Sequence, residues 1–124
     1  MAPDHAQAWS WYQKATAAGD PNALARFADR DDAAASSEAD GAKKSAMRLE
    51  AFKYYASATE RARIEDWPDE AWRNWRYRRA TLARLMAGEG MMREIADAYR
   101  DVRRQYATPP TTWQRLTSFL GMRY

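Results

Sequence analysis

Apolar residues return along this 124-residue chain at intervals of three and four, the repeat that lays one stripe along an α-helix. Leu24, Phe27 and Ala28 share one such face. Met47, Phe52, Tyr55, Ala58 and Ala62 share another, with Leu49 and Tyr54 beside it. Met92, Ile95, Ala96, Tyr99 and Val102 make a third. The period-two alternation of half-buried strands is missing. The pattern predicts an all-α fold.

Breakers divide the helical stretches. Asp4 is placed to cap a first helix running to about Ala18, where Gly19 supplies a left-handed stop. Asp20-Pro21 restarts the chain, with proline at the first helical position, and a second helix runs to about Arg30. Residues 31–42, DDAAASSEADGA, hold no large apolar side chain and read as a loop, with alanines able to add a helical turn. A long third helix begins near Lys43 or Lys44 and reaches about Glu65. Asp66-Trp67-Pro68 breaks and restarts it. The fourth spans about 69–87 and stops at Gly88-Glu89-Gly90. The fifth runs from about Met91 to Tyr106, and Thr108-Pro109-Pro110 ends it. Thr111 or Thr112 then caps a short sixth helix over Trp113–Leu120, with Leu116, Phe119 and Leu120 apolar. About six helices in a single domain, residues 1–124, are expected.

One triad recurs across these elements: a small or aliphatic residue, tyrosine four positions on, and another small or aliphatic residue three further. The copies are Ala8–Tyr12–Ala15, Ala51–Tyr55–Ala58 and Ile95–Tyr99–Val102, recurring at 43 and 44 residues. Regular recurrence at that distance marks stacked repeats, which present extended surfaces to partners.

The residues Ala8-Trp9-Ser10-Trp11-Tyr12-Gln13-Lys14-Ala15, then Gly19-Asp20-Pro21-Asn22-Ala23 and Phe27-Ala28, resemble the Sel-like repeat, a relative of the tetratricopeptide repeat. The likeness covers residues 8–28. The later triads look like second helices of tetratricopeptide units, and Trp72 and Trp75 like the large residues of a first helix. The resemblance implies antiparallel helical hairpins stacked as a short, irregular tetratricopeptide-like array, serving as a non-catalytic protein–protein interaction module or scaffold. The chain departs from the family pattern in lacking a Gly-x-Gly turn after Phe27, in residues 31–42, and in a period longer than the roughly 34 residues of a regular unit.

Composition fits a folded chain: 46% of residues are hydrophobic, with six Trp and seven Tyr, despite 30% charged. The absence of Cys excludes disulfides and thiolate metal sites. No run of apolar residues is long enough to span a membrane. The first eight residues do not read as a signal peptide, so a cytoplasmic location is the expectation. The net charge of +3 is unevenly placed. Residues 1–42 carry three Lys/Arg against seven Asp/Glu, and residues 43–124 seventeen against ten. Sixteen of the twenty cations are Arg, whose planar fork grips carboxylate or phosphate. An acidic partner is the natural counterpart.

The fourth helix carries the most unusual chemistry. Ala71, Trp72, Trp75, Leu82, Leu85 and Met86 form one stripe. Arg78 and Arg79 fall inside it, where each needs a carboxylate or an aromatic surface for its stem. Trp72 with Arg76, and Trp75 with Arg79, stand at i, i+4, the spacing for cation–π contacts. A second stripe holds Arg73, Tyr77, Ala80 and Arg84, with Asn74 nearby. In tetratricopeptide-like arrays the first helix of each pair lines a groove. The resemblance thus implies that Arg73, Asn74, Arg76, Tyr77 and Arg84 meet an acidic peptide or partner protein, because a bidentate Arg–carboxylate pair supplies both affinity and orientation.

Little else points to chemistry. The single histidine, His5, has no orienting partner identifiable by spacing. Asp29, Asp31 and Asp32 match no calcium loop. Phosphate loops, nucleophile elbows and metal-ligand spacings are missing, so neither enzyme activity nor a cofactor or metal is expected. Two further readings stay open. Arg61, Arg63, Arg73, Arg76, Arg78, Arg79 and Arg84, interleaved with Trp and Tyr over 61–84, would suit nucleic acid, with affinity falling steeply with salt. The apolar segment Trp113–Tyr124 would serve self-association through the C-terminal helix.

Overall fold

The computed structural model describes residues 5–17 and 19–107. They form five α-helices: α1 (His5–Ala17), α2 (Pro21–Ser37), α3 (Gly41–Ile64), α4 (Asp69–Gly88) and α5 (Met92–Ala107). No strand occurs among the described residues. The fold is all-α. The Asp4 cap and the sixth helix over Trp113–Leu120 lie outside the described residues, as does the side chain of His5.

Each joint follows from local chemistry. Gly19 adopts φ 83°, and the N–H groups of Gly19 and Asp20 donate to Thr16 O and Ala15 O, both at 2.9 Å. That closes α1 with a left-handed residue where a Cβ is costly. Pro21 opens α2, where its missing N–H costs nothing. Asp40 caps α3 by accepting from the Lys43 N–H at 3.0 Å. Asp66, at φ 57°, turns the chain from α3 toward α4. Gly90, at φ 78°, does the same between α4 and α5. Connections this short keep successive helices adjacent in space.

The stretch 31–42 is not a loop. Helix α2 continues unbroken to Ser37, and α3 starts at Gly41. Alanine is the strongest helix former, and Ala33–Ala35 carry the helix without any large apolar residue. The extension is also held from outside. Ala35 is buried, and Arg78 of α4 pairs with Asp32 at 3.6 Å, while just before the extension Tyr55 of α3 donates its hydroxyl hydrogen bond to Asp29.

The long α3 is the hub, packing against α2, α4 and α5, while α1 rests chiefly on α2. The triad Ala51–Tyr55–Ala58 is fully buried and lets the neighbouring helices close on α3. Phe52, Leu82 and Met86 fill the centre, each side chain contributing about 1.5–3 kcal/mol by burial. Phe52 meets Tyr99 edge-on at 5.2 Å and 86°. Across α2, Phe27 links Trp9 of α1 (5.1 Å) to Tyr54 of α3 (5.5 Å), and Arg30 lies over Trp9 at 4.6 Å.

The tyrosine spacing places Tyr12, Tyr55 and Tyr99 on α1, α3 and α5, every second helix. Their surroundings are not equivalent. Tyr55 is enclosed and bonded to a carboxylate, whereas Tyr99 is half-buried between Phe52 and Arg79. The side chain of Tyr12 lies outside the described residues. Burial first, then the Asp29 bond, pushes the Tyr55 phenol well above its usual range.

Candidate partner-binding face of α4

Helix α4 is amphipathic because its two stripes meet different environments. Asp69 and Glu70 sit in its first turn, where carboxylates favour the positive end of the helix dipole. Trp72, Trp75, Leu82 and Met86 point into the core, and Trp72 Nε1 donates to Trp67 O at 3.2 Å. Trp67 and Trp75 stack obliquely, 6.0 Å apart. The buried stripe is narrower than the periodicity suggests: Ala71 and Leu85 face solvent, Leu85 at 45% exposure. Both sit at the stripe's edge, on a helix that packs mainly on α3.

The arginines divide into committed and free groups. Arg79 turns inward, donating to Thr59 Oγ1 at 2.8 Å and lying 5.7 Å from the Tyr99 ring. Its aromatic partner is therefore Tyr99 on α5, across the bundle, and not Trp75 on its own helix. Arg78 leaves the apolar stripe for Asp32. Arg76 covers Trp72 at 4.4 Å, as spacing suggested, and reaches Asp69 at 3.9 Å. Arg73 makes no hydrogen bond or ion pair among the described residues. Arg84 has one long hydrogen bond to Thr81, 3.5 Å, and no carboxylate partner among them.

Two shallow concavities meet on the outer face at Asn74 and Tyr77. One, about 510 Å³, is lined by Glu70, Arg73, Asn74 and Tyr77. The other, about 220 Å³, runs past Arg78, Thr81 and Leu85 to Asp32 of α2. Tyr77 stands between them, 65% exposed. Of the five residues singled out by sequence, Arg73, Asn74 and Tyr77 thus converge. Arg84 lies two turns further along the stripe and lines neither hollow. Arg76 is held by Trp72 and Asp69.

Sequence reasoning missed Leu85, which adds an apolar element to the face, and Asp29 and Asp32, which anchor Tyr55 and Arg78. The i, i+3 spacing of these two carboxylates signals one helical side once α2 is known to continue. No cluster of His, Cys, Asp and Glu that could hold a metal occurs among the described residues. None of the described helices is long and apolar enough to cross a membrane. Compared with protein-family models, with curated proteins and with solved structures, the chain matches none.

Proposed function

We propose that this protein is a non-catalytic interaction module whose α4 face docks an acidic peptide or partner protein. The observation that carries the reading is the exposed Tyr77 with Arg73 and Arg84 on the same stripe, two guanidiniums without a carboxylate partner among the described residues. Charged groups with unmet partners beside an exposed aromatic ring match the composition of binding hot spots. A bidentate carboxylate at Arg73, with an apolar side chain against Tyr77 and Leu85, uses every group on offer. The likeness of residues 8–28 to Sel-like repeats, members of a tetratricopeptide-related family, supports the same class of function by analogy.

Nucleic acid fits the charge pattern less well. Arg61, Arg63, Arg76 and Arg78 each pair with a carboxylate, and Arg79 faces the core. Among the described residues, a phosphate backbone would find two guanidiniums of the seven, Arg73 and Arg84, exposed and without a carboxylate partner.

An NMR titration with an Asp/Glu-rich peptide carrying one leucine tests the reading. Amide shifts clustered at Arg73, Asn74, Tyr77 and Arg84 are expected. Saturable shifts centred elsewhere, or none, would remove α4 from the account.

A further inference from the structure

A larger hollow lies away from α4. About 590 Å³ in volume, it opens between the α1–α2 turn (Thr16, Gly19), Leu24 of α2, one side of α3, and Gln105 and Tyr106 at the end of α5. That volume is in the range of small-molecule sites, roughly 300–1,000 Å³. The contribution of α3 is periodic: Glu50, Lys53, Tyr54, Ser57 and Arg61 line it from successive turns. Leu24 and the Tyr54 ring supply an apolar floor, and the rest is polar.

The polar groups are mainly donors, and several are unmet. Thr16 Oγ1 and Arg61 Nε are shielded from solvent without a hydrogen-bond partner among the described residues. Buried polar atoms in folded proteins are nearly always satisfied, so two orphans on one cavity wall call for a partner. Arg61 Nε lies 3.4 Å from Glu65 Oε1, close enough for an ion pair but outside hydrogen-bond geometry. Lys53 has no partner among the described residues. The acidic lining residue, Glu50, faces the Tyr54 phenol: burial first, then the Glu50 charge, pushes that phenol above its usual value. Ser57 and Tyr106 add hydroxyls to the lining, and burial raises the Tyr106 phenol above its usual value. Gly19, in its left-handed conformation, places the turn beside the guanidinium, where a Cβ would be in ordinary contact at 3.6 Å from Arg61 Cζ.

We propose that this cavity binds a small oxyanion-bearing molecule, a carboxylate or phosphate, gripped by Arg61 and Lys53 and by the Thr16 hydroxyl. The ligand takes the acceptor positions that Thr16 Oγ1 and Arg61 Nε lack, while Leu24 and Tyr54 hold its carbon skeleton. Glu65 competes for the same guanidinium. The site is independent of the α4 face, so the two readings stand or fall separately.

Calorimetric titration with inorganic phosphate and with citrate, at constant ionic strength, tests the proposal. Saturable binding of at least one is expected, and which one saturates tells the two chemistries apart. Arg61→Gln and Lys53→Gln should each weaken it tenfold or more, Glu65→Gln should tighten it, and Arg93→Gln, at an exposed position lining none of these hollows, should leave it unchanged. Should Arg61→Gln fail to fold, Lys53→Gln and Glu65→Gln carry the test. Absence of saturation by both anions at millimolar concentration, or equal affinity in the Arg61 and Lys53 variants, would overturn it.

Discussion

The Tyr55 hydroxyl, at the end of a ring with no exposed surface, donates to the carboxylate of Asp29 and so ties α3 to the middle of α2. A hydrogen bond to a charged acceptor contributes about 1.5–3 kcal/mol, and its loss would strand a partly buried carboxylate. Tyr55→Phe should therefore destabilise the protein by about 2 kcal/mol in urea unfolding at neutral pH. Burial of the same ring, with this bond added, sets the alkaline limb. Below pH about 10 both folded and unfolded states keep the phenol protonated. Above it the unfolded chain releases the proton and the folded chain resists, so stability falls as pH rises toward the raised folded value. Tyr54 and Tyr106 shift in the same direction. Tyr55→Phe should flatten this decline without abolishing it, and an unchanged alkaline slope would refute the assignment.

Arg79 couples three helices through Thr59 and Tyr99. Arg79→Met should cost about 1–2 kcal/mol, combining one lost hydrogen bond with a half-buried cation–π contact. A double-mutant cycle with Tyr99→Leu should show a coupling of about 0.5–1 kcal/mol. Strict additivity would mean that the ring and the guanidinium do not interact.

Two backbone positions should respond in opposite senses. Gly19→Ala forces a Cβ into the left-handed region and should cost about 1 kcal/mol. No clash contributes, since the new atom meets only ordinary contacts with Arg61. Asp66→Gly relieves a non-glycine residue at φ 57° and should be neutral to stabilising by about 0.5 kcal/mol. Thermal melts of both variants check the pair.

Glu89 closes the α4–α5 turn onto α3, accepting from Ser45 and Arg48. The Ser45 hydrogen bond foremost, with help from Arg48, holds its carboxyl below the usual range. The stability this adds is present above the ordinary carboxylate value, about 4.3, and is lost as pH falls through the lower folded value. Glu89→Gln should thus make stability less steeply acid-dependent. Chemical denaturation across the acid range measures it, and an unaltered slope would show that Glu89 titrates alike in both states.

The helix boundaries were legible where the chain punctuates itself. Gly19, Pro21, Asp66-Trp67-Pro68 and Gly90 act through their own φ preferences, so neighbours in space were not needed to place the turns. The extension of α2 was hidden because its support lies far along the chain: Arg78 holds it through Asp32, and Ala33–Ala35 give no amphipathic signal. Local spacing also identified Arg76 over Trp72, an i, i+4 pair. It misassigned Arg79, whose ring partner sits on another helix. On α4 the outward stripe could be read directly, but which arginines were free could not, because their acidic partners come from α2 as well as α4. The hollow around Arg61 draws on α1, α2, α3 and α5, and no sequence window contains it.

The α4 face is tested most directly by fluorescence anisotropy with a labelled Asp/Glu-rich, leucine-containing peptide, beside a single-stranded oligonucleotide of equal length. The double variant Arg73→Glu/Arg84→Glu changes only exposed side chains, so its unfolding free energy should stay within about 0.5 kcal/mol of wild type. Wild type should bind the peptide saturably, with at least a tenfold loss in the double variant and weaker binding of the oligonucleotide. Equal peptide affinity in the two proteins, or preferential salt-sensitive binding of the oligonucleotide, would contradict the account.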